Sequence, residues 1–189
     1  RLITLPGFAE VEQTEALDDL ARCQEAIRHD AEFVSNSAND YGSWDDTYAF
    51  IEDGNEEFKT ENLIPETFQN LKLDLIAFIR KDGALVWGEV RRDHGTNLVE
   101  APELLGALAG ADHRLVAHAS ADSKVAGVMM TSMGPIVVGS AAISTSDRQS
   151  PVRGAVIMGR FITEEMVQEI AARTRVALSL FPMDSVAPA

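Results

Sequence analysis

The sequence predicts an α+β domain in which a long amphipathic helix leads into an antiparallel β-sheet. Apolar residues within the first 44 positions recur with helical spacing, and an Asp-Gly turn joins two apolar runs near residue 82. The second half of the chain adds further short apolar runs of β type, separated by turns. At 189 residues the chain is long enough for one domain with its own core, so we expect a single domain over residues 1–189.

The first predicted element is a helix over residues 9–44, which begins after Pro6-Gly7. Its apolar residues lie three, four or seven positions apart, and acidic and polar residues fill the other face. We expect the C-terminal half of this stripe to cover the domain's own core. The N-terminal half, Leu2 to Leu20, has less of the domain to cover, so we expect it to form a weak parallel homodimer. The stripe consists of Leu17, Leu20, Ile27, Val34, Tyr41 and Trp44.

Residues 45–182 are predicted to form short helices followed by the sheet. Two to four helices should occupy residues 45–71, with breaks at Asp53-Gly54-Asn55 and at Pro65. Asp-Gly between apolar runs is a strong signal for a two-stranded hairpin, and Thr163 is typical of a helix N-cap. The predicted strands are 73–80, 84–91, 125–131, 135–144, 152–161 and 175–181, and the later helices are 102–108 and 163–174.

This order of elements is typical of a long N-terminal helix followed by a PAS-like or Cache-like antiparallel sheet with helices on one face. The formal net charge is −14, from 16 basic and 30 acidic residues. Such a charge disfavours a nucleic-acid partner and an anionic membrane surface. Cys23 is the only cysteine, so no internal disulfide can form. No apolar run approaches the roughly 20 residues that span a bilayer.

Motifs for catalysis and for cofactor binding do not stand out. Phosphate-loop, dinucleotide and nucleophile-elbow patterns are missing, and Ser140 in Val-Gly-Ser-Ala lacks the second glycine of an elbow. The histidines are scattered and are interpreted as solvated loop residues rather than metal ligands. We therefore expect no enzymatic activity, no cofactor and no metal. The four histidines are His29, His94, His113 and His118.

Acidic residues cluster in the predicted short helices but lack the pattern of a known site. Asp45 and Asp46 are adjacent and would point about 100° apart on a helix, which is poor geometry for a shared proton. The acids of residues 52–57 lack the alternating ligands and central glycine of a calcium loop. They are interpreted as a solvated face, and one of the adjacent aspartates as a helix cap.

The block Trp44-Asp45-Asp46-Thr47-Tyr48-Ala49-Phe50-Ile51 resembles the signature of the CHASE family, type four. Further similarities lie on both sides of the block and extend over nearly the whole chain. In chain order they are Glu12, Arg22, Asn62-Leu63, Asp82-Gly83, residues 134–138 and residues 154–160. The chain departs from the family pattern at Ala142-Ile143 and at Ser150-Pro151, where the family often has Pro-Ile and Gly-Pro.

The resemblance implies an extracytoplasmic, periplasmic sensory domain of a bacterial transmembrane receptor, either a histidine kinase or a GGDEF/EAL cyclic-di-GMP enzyme. It implies a transmembrane helix on each side of the domain and an unknown small-molecule ligand. The alternatives are a structural or dimerisation module without a ligand, and a small-molecule enzyme. A helix of 36 residues is about 54 Å long, which is enough to carry a displacement toward the membrane.

A candidate ligand site follows from this interpretation. Trp44 and Tyr48 are four residues apart and share a helix face, so they could line one wall of a pocket, with Asp45 or Asp46 supplying charge. Alternatively, the aromatic residues pin the long helix to the sheet and the aspartates cap the next helix. Arg160 could bind a ligand carboxylate, or form a structural salt bridge with Glu12 or with the Asp45–Asp46 turn.

Overall fold

The computed structural model describes residues 5–93 and 95–179. By their contacts these residues divide into two compact units. One consists of Asp30–Phe161, and the other of the chain up to His29 together with the chain from Ile162 onward. The helices are α1 Leu5–Gly42, α2 Asp45–Asp53, α3 Glu56–Asn62, α4 Pro65–Leu71, α5 Pro102–Leu108 and α6 Glu164–Thr174. The strands are β1 Leu75–Arg80, β2 Leu85–Arg92, β3 Asn97–Val99, β4 Lys124–Thr131, β5 Gly134–Ile143 and β6 Gly154–Phe161.

The α+β architecture and the long first helix are confirmed. Three short helices, α2 to α4, occupy the region where two to four were predicted. They are separated at the predicted turn residues. Gly54 ends α2 in the left-handed conformation, and the side chain of Asn55 caps α3 by accepting from the amide of Phe58 at 2.9 Å. Pro65 is the first residue of α4, where its missing N–H is harmless.

The strands form one antiparallel sheet in the order β3-β2-β1-β6-β5-β4. The hairpin predicted around Asp82-Gly83 joins β1 and β2. The three-residue strand β3 was not predicted, because so short a segment has no recognisable alternation. The predicted strand over residues 175–181 is wrong for its described part, residues 175–179. Arg175 takes the left-handed conformation that ends α6, and the described residues after it pair with no strand. Residues 180 and 181 lie outside the described part.

The sheet is covered on both sides. On the side that we call the helix face, Phe78 of β1 packs edge-on against Phe50 of α2 and Phe58 of α3, with ring centroids 5.2 and 5.9 Å away. On the same face α1 packs against Gly139 of β5, where an added Cβ would come within 2.2 Å of the backbone nitrogen of Ser35. These contacts place α1, α2 and α3 over one side of the strands.

The opposite side, which we call the loop face, is covered by α5 and by the connection of residues 109–123. Leu104 and Leu108 of α5, with Leu115 and Val116 of the connection, join one core cluster with the strand residues of this face. Those strand residues include Leu75, Ala77, Ile79, Val90, Ile136, Val138, Ile157 and Phe161. Most of this connection lacks regular secondary structure, so the cover of the loop face is the less regular of the two.

The unit that contains α6 is held by its own contacts. Thr163 caps α6 as predicted, and its hydroxyl oxygen accepts from the amide of Met166 at 3.3 Å. Met166 and Ile170 are buried, as is Cys23 of α1, whose sulfur lies 4.0 Å from the hydroxyl of Thr174. None of the helices in the described part of the chain combines the length and the hydrophobicity of a membrane span.

Candidate functional site

A surface cleft lies on the loop face beside the edge strand β4, with a volume of about 280 Å³. Small-molecule sites typically have about 300–1,000 Å³, so this cleft suits a small ligand. One wall comes from the connection of residues 109–123, and the floor comes from β4 and β5. The lining residues are His113, Arg114, Leu115, Val125, Ala126, Gly127, Val128, Met129 and Val138.

The floor follows from the alternation of β4. Exposed and half-buried residues alternate along this strand, and the half-buried Val125, Gly127 and Met129 form the floor. They pair with Ser140, Val138 and Ile136 of β5. A Cβ added to Gly127 would meet no atom within 4 Å. The missing side chain of Gly127 therefore leaves the floor open.

The wall is a tight turn fixed by backbone hydrogen bonds. The amides of Val116 and Ala117 donate to the carbonyl of His113 at 2.7 and 2.9 Å, and the amide of Leu115 donates to Nδ1 of His113 at 3.2 Å. Because Nδ1 is an acceptor here, the neutral ring carries its proton on Nε2. Arg114 is exposed, and within residues 5–93 and 95–179 it forms no hydrogen bond or ion pair.

His118, five residues beyond His113, anchors the same connection to the sheet. Its Nε2 lies 2.7 Å from the hydroxyl of Ser140 and its Nδ1 lies 2.9 Å from that of Ser123. The Ser140 hydroxyl donates to the carbonyl of Leu115, so it accepts from Nε2–H, and Ser123 donates to Nδ1. Burial disfavours the charged ring and lowers the pKa of His118 below its usual value.

This environment corrects the interpretation of the histidines. His118 is buried rather than solvated, because serine hydroxyls satisfy both of its ring nitrogens. His113 is half-buried at the cleft and His29 is exposed. His94 lies outside the described residues. No group of three His, Cys, Asp or Glu side chains that could hold a metal occurs in the described part of the chain.

The predicted Trp44–Tyr48 block lies at the start of α2, and its side chains contact other parts of the protein. The Trp44 ring stacks on Tyr41 with centroids 4.2 Å apart. Asp45 accepts from the amide and the hydroxyl of Ser146 at 2.9 and 3.1 Å. Asp46 is exposed. Trp44 itself holds the N-cap position of α2 and makes no side-chain cap bond, so neither aspartate caps this helix.

Tyr48, the last residue of that block, lies beneath an arginine. The Arg153 guanidinium is 3.8 Å from the centroid of the Tyr48 ring, and its Nη1 donates to the Tyr48 carbonyl at 3.0 Å. The same guanidinium forms an ion pair with Glu52 at 3.6 Å. Arg153 directly precedes β6, so these contacts join α2 to the start of that strand. Trp44, Asp45 and Tyr48 are thus brought together, each with an intramolecular contact.

Arg160 is not brought to this block. It lies on β6 opposite Val137 and is half-buried, whereas Asp45 binds Ser146, beyond the end where Ile143 pairs with Gly154. Six residues of strand separate Gly154 from Arg160, which is about 20 Å at 3.3 Å per residue. The two parts of the predicted site therefore lie at opposite ends of β6.

Comparisons with known proteins give a consistent result. A family model described as the CHASE4 domain matches residues 26–181. The methanogenesis regulatory histidine kinase FilI of Methanothrix harundinacea (strain 6Ac) is 26% identical over 154 residues, which are 82% of this chain and 17% of that protein. The chain thus spans about a sixth of the length of this curated relative.

A solved structure shares the fold. It is the extracellular domain of the putative histidine kinase vpHK1S-Z8, with a TM-score of 0.55 and 16% sequence identity. The match covers 86% of this chain and 63% of that one. At this identity the likeness concerns the fold alone.

Proposed function

Because this chain belongs to the CHASE4 domain family, we propose that it is the extracytoplasmic ligand-sensing part of a transmembrane signalling protein. The kinase named among its relatives favours a histidine kinase as the parent, with a GGDEF/EAL protein as the alternative. The single observation that carries the sensing role is the open cleft on the loop face. A cleft with an apolar floor and few polar groups is the usual form of a small-molecule site.

Among the described residues, two serine hydroxyls contact His118, those of Ser123 and Ser140. An enzymatic role is disfavoured by the geometry of the closer pair, His118 with Ser140. Ser140 is fully buried, and its hydroxyl already donates to the carbonyl of Leu115. Its contact with His118 at 2.7 Å therefore uses the serine oxygen as an acceptor. A serine in this arrangement cannot reach a substrate, so the pair anchors the connection to the sheet.

The contacts of the Trp44–Tyr48 block support a structural joint between α1, α2 and the β5–β6 connection. The pocket wall predicted from its sequence stays a prediction. Arg160 remains a second candidate for a separate ligand contact, and Arg160→Ala tests it. A variant that melts like the parent and loses ligand would identify a clamp, whereas a variant that loses stability would identify a structural residue.

A parallel homodimer along the first half of α1 is supported by exposed apolar side chains. Leu17 and Leu20 have 59% and 53% of their surfaces exposed, although they follow the spacing that places Val34 in the core. Leu2, at the start of the predicted dimer segment, lies outside the described residues. An amphipathic helix with an uncovered apolar stripe can pair with a second helix along that stripe.

The sensing role can be tested by thermal melting in the presence of metabolite extract fractions, followed by mass spectrometry of what the domain retains. We expect some fractions to raise the melting temperature through binding to the folded state. Gly127→Leu, which fills the cleft floor, should remove that rise. An equal rise in the variant would place the ligand elsewhere, and no rise with any fraction would favour a module without a ligand.

A further inference from the structure

We propose that the cleft binds a small organic anion with an apolar body and one carboxylate-type head group. This inference rests on the proposed function and names the ligand class of the same cleft. It assigns the anionic head to the Arg114 end of the cleft and the apolar body to the floor formed by Val125, Met129 and Val138.

The negative charge that we assign to the ligand's head group follows from the side chains that line the cleft. Arg114 is the one side chain of permanent charge among the lining residues, and no carboxylate lies among them. The domain carries a net charge of −14, yet within its described residues Arg114 has no acidic partner. A guanidinium binds a carboxylate through two parallel N–H bonds, and at short range this outweighs the repulsive field of the whole domain.

Two further kinds of donor belong to residues that line the same cleft. The His113 ring carries a proton on Nε2, because its Nδ1 accepts from the Leu115 amide. β4 is the last strand of the described sheet, so one side of its backbone has no neighbouring strand. Alternate amides of such an edge point away from the sheet and can donate to a ligand. The two polar side chains of the cleft, Arg114 and His113, therefore both offer donors, while the strand edge offers carbonyls as well as amides.

The apolar body that we assign to the ligand follows from the side chains of the cleft floor and from the volume of the cleft. Leu115, Val125, Met129 and Val138 supply aliphatic and thioether surface, and Gly127 leaves the space above the floor empty. A volume of about 280 Å³ admits a ligand with a short chain or a single ring. An extended peptide pairing with β4 would use the same edge, but it would leave the Arg114 charge and the open floor without a role.

Three probes with the same six-carbon chain test this inference: hexanoate, hexanamide and hexylammonium. Binding is followed by the NMR shift of the ¹³C-labelled methyl group of Met129, which lines the cleft. The methyl group of the exposed neighbour Met130 serves as an internal reference. We expect hexanoate to shift Met129 with a Kd below about 1 mM, and the other two probes to bind at least about tenfold more weakly.

Two variants and their controls complete the experiment. Arg114→Gln should remove the preference for hexanoate over hexanamide, whereas Arg28→Gln, the same change at an exposed site on α1, should leave it intact. Gly127→Leu should abolish the Met129 shift with every probe, whereas Gly106→Leu, at another glycine with open space, should not.

The outcomes separate this inference from the proposed function. Tighter binding of hexylammonium or hexanamide, or no Met129 shift with hexanoate up to millimolar concentration, would overturn the anion assignment. The sensing role would survive that result if extract fractions still raised the melting temperature in a manner that Gly127→Leu removes. A Met129 shift that persists in Gly127→Leu would overturn the site itself, and strand-like protection of β4 amides by an added peptide would replace the small anion with a peptide.

Discussion

Nε2 of His118 lies 2.7 Å from the hydroxyl oxygen of Ser140, a residue 22 positions later on β5. This contact fixes the connection of residues 109–123 to the loop face of the sheet. Residues 113–115 of the same connection form the wall of the cleft. The protonation state of one buried imidazole therefore bears on the position of the cleft wall.

Stability should depend on pH through His118. Burial lowers its pKa in the folded state relative to about 6.5 in the unfolded chain. Between these two pKa values the unfolded state binds more protons, so the free energy of unfolding rises with pH there. The contribution is complete above about pH 6.5 and is lost as the pH falls below that value toward the folded pKa. Urea titrations between about pH 7 and pH 5 measure this slope.

His118→Gln removes the titration and keeps a side chain that can both donate and accept. We expect the variant to have a flatter pH profile than the parent in that window. His29→Gln, the same change at an exposed imidazole of α1, is the matched control and should retain the parent slope. Equal slopes in the parent and His118→Gln would contradict the assignment of the slope to His118.

The contact between α1 and β5 at Gly139 should tolerate no side chain. A Cβ there would come within 2.2 Å of the Ser35 nitrogen, and backbone cannot rotate away as a side chain can. Gly139→Ala should cost about 1–3 kcal/mol, the usual range for overpacking. Gly127→Ala, the same change on the next strand, meets no atom within 4 Å and should be neutral or slightly stabilising. Chemical denaturation of both variants measures the difference, and similar stabilities would refute the close approach.

These features show how far the sequence could predict the molecule. The helices α1 and α6 and the β1–β2 hairpin have strong periodicity or specific turn residues, and they were predicted to within a few residues. Residues 175–179 alternate like a strand, but a strand also needs a pairing edge, which the sequence cannot show. The left-handed conformation of Arg175 ends α6 instead of beginning a strand.

The candidate cleft was beyond the reach of sequence for a related reason. It combines residues 113–115, residues 125–129 and Val138, which share no local pattern. The open space above Gly127 exists because no other part of the described chain packs against it, which a sequence pattern cannot show. The burial of His118 likewise depends on Ser140, on a different strand. The Trp44–Tyr48 block was recognisable because it is continuous in sequence, although its contacts are intramolecular.

The aromatic face of Tyr48, rather than its hydroxyl, should contribute to the stability of the fold. Arg153 lies 3.8 Å from the ring centroid, so Tyr48→Phe keeps the cation–π contact and should change stability by less than about 1 kcal/mol. Tyr48→Leu removes the contact and should destabilise by more than the Phe variant. Calorimetry compares the two. Tyr48→Phe should leave ligand affinity unchanged, and a loss of about tenfold or more would return the ligand site to the Trp44–Tyr48 block.

The proposed self-association of the parent protein should depend on the exposed leucines of α1. Replacing Leu17 and Leu20 together by glutamate puts two charges on a seam that is more than half exposed in the monomer. We expect the double variant to fold normally and to reduce dimerisation of the membrane-bound parent, measured by cross-linking. The control is Asp18→Ala with Ala21→Glu, a change beside the seam that adds no charge overall. Unaltered cross-linking in the leucine variant would exclude this half of α1 as the interface.

Arg148 connects the cleft-bearing connection to the end of the long helix. Its Nη1 donates to the Ala121 carbonyl at 2.6 Å and lies 3.2 Å from the Asp122 carboxylate. Its Nη2 donates to Asn39 of α1 at 3.1 Å and to the Ser43 hydroxyl at 2.7 Å. We expect a ligand that shifts the connection of residues 109–123 to displace the end of α1 through this guanidinium, provided that it binds the two arrangements unequally.

Arg148→Ala should uncouple binding from output. We expect a loss of about 1–2 kcal/mol in stability, since charge-assisted hydrogen bonds contribute about 1.5–3 kcal/mol when shielded from water and this side chain is partly exposed. Ligand affinity of the domain should change little, while the ligand response of the parent receptor should fall.

Arg148→Lys should behave similarly, because lysine keeps the charge and loses the fork that reaches both partners. Arg153→Ala removes a guanidinium whose hydrogen bond, ion pair and ring contact among the described residues are all with α2, so it should retain the response. A parent receptor that carries Arg148→Ala and responds like the wild type would show that the signal reaches α1 by another route.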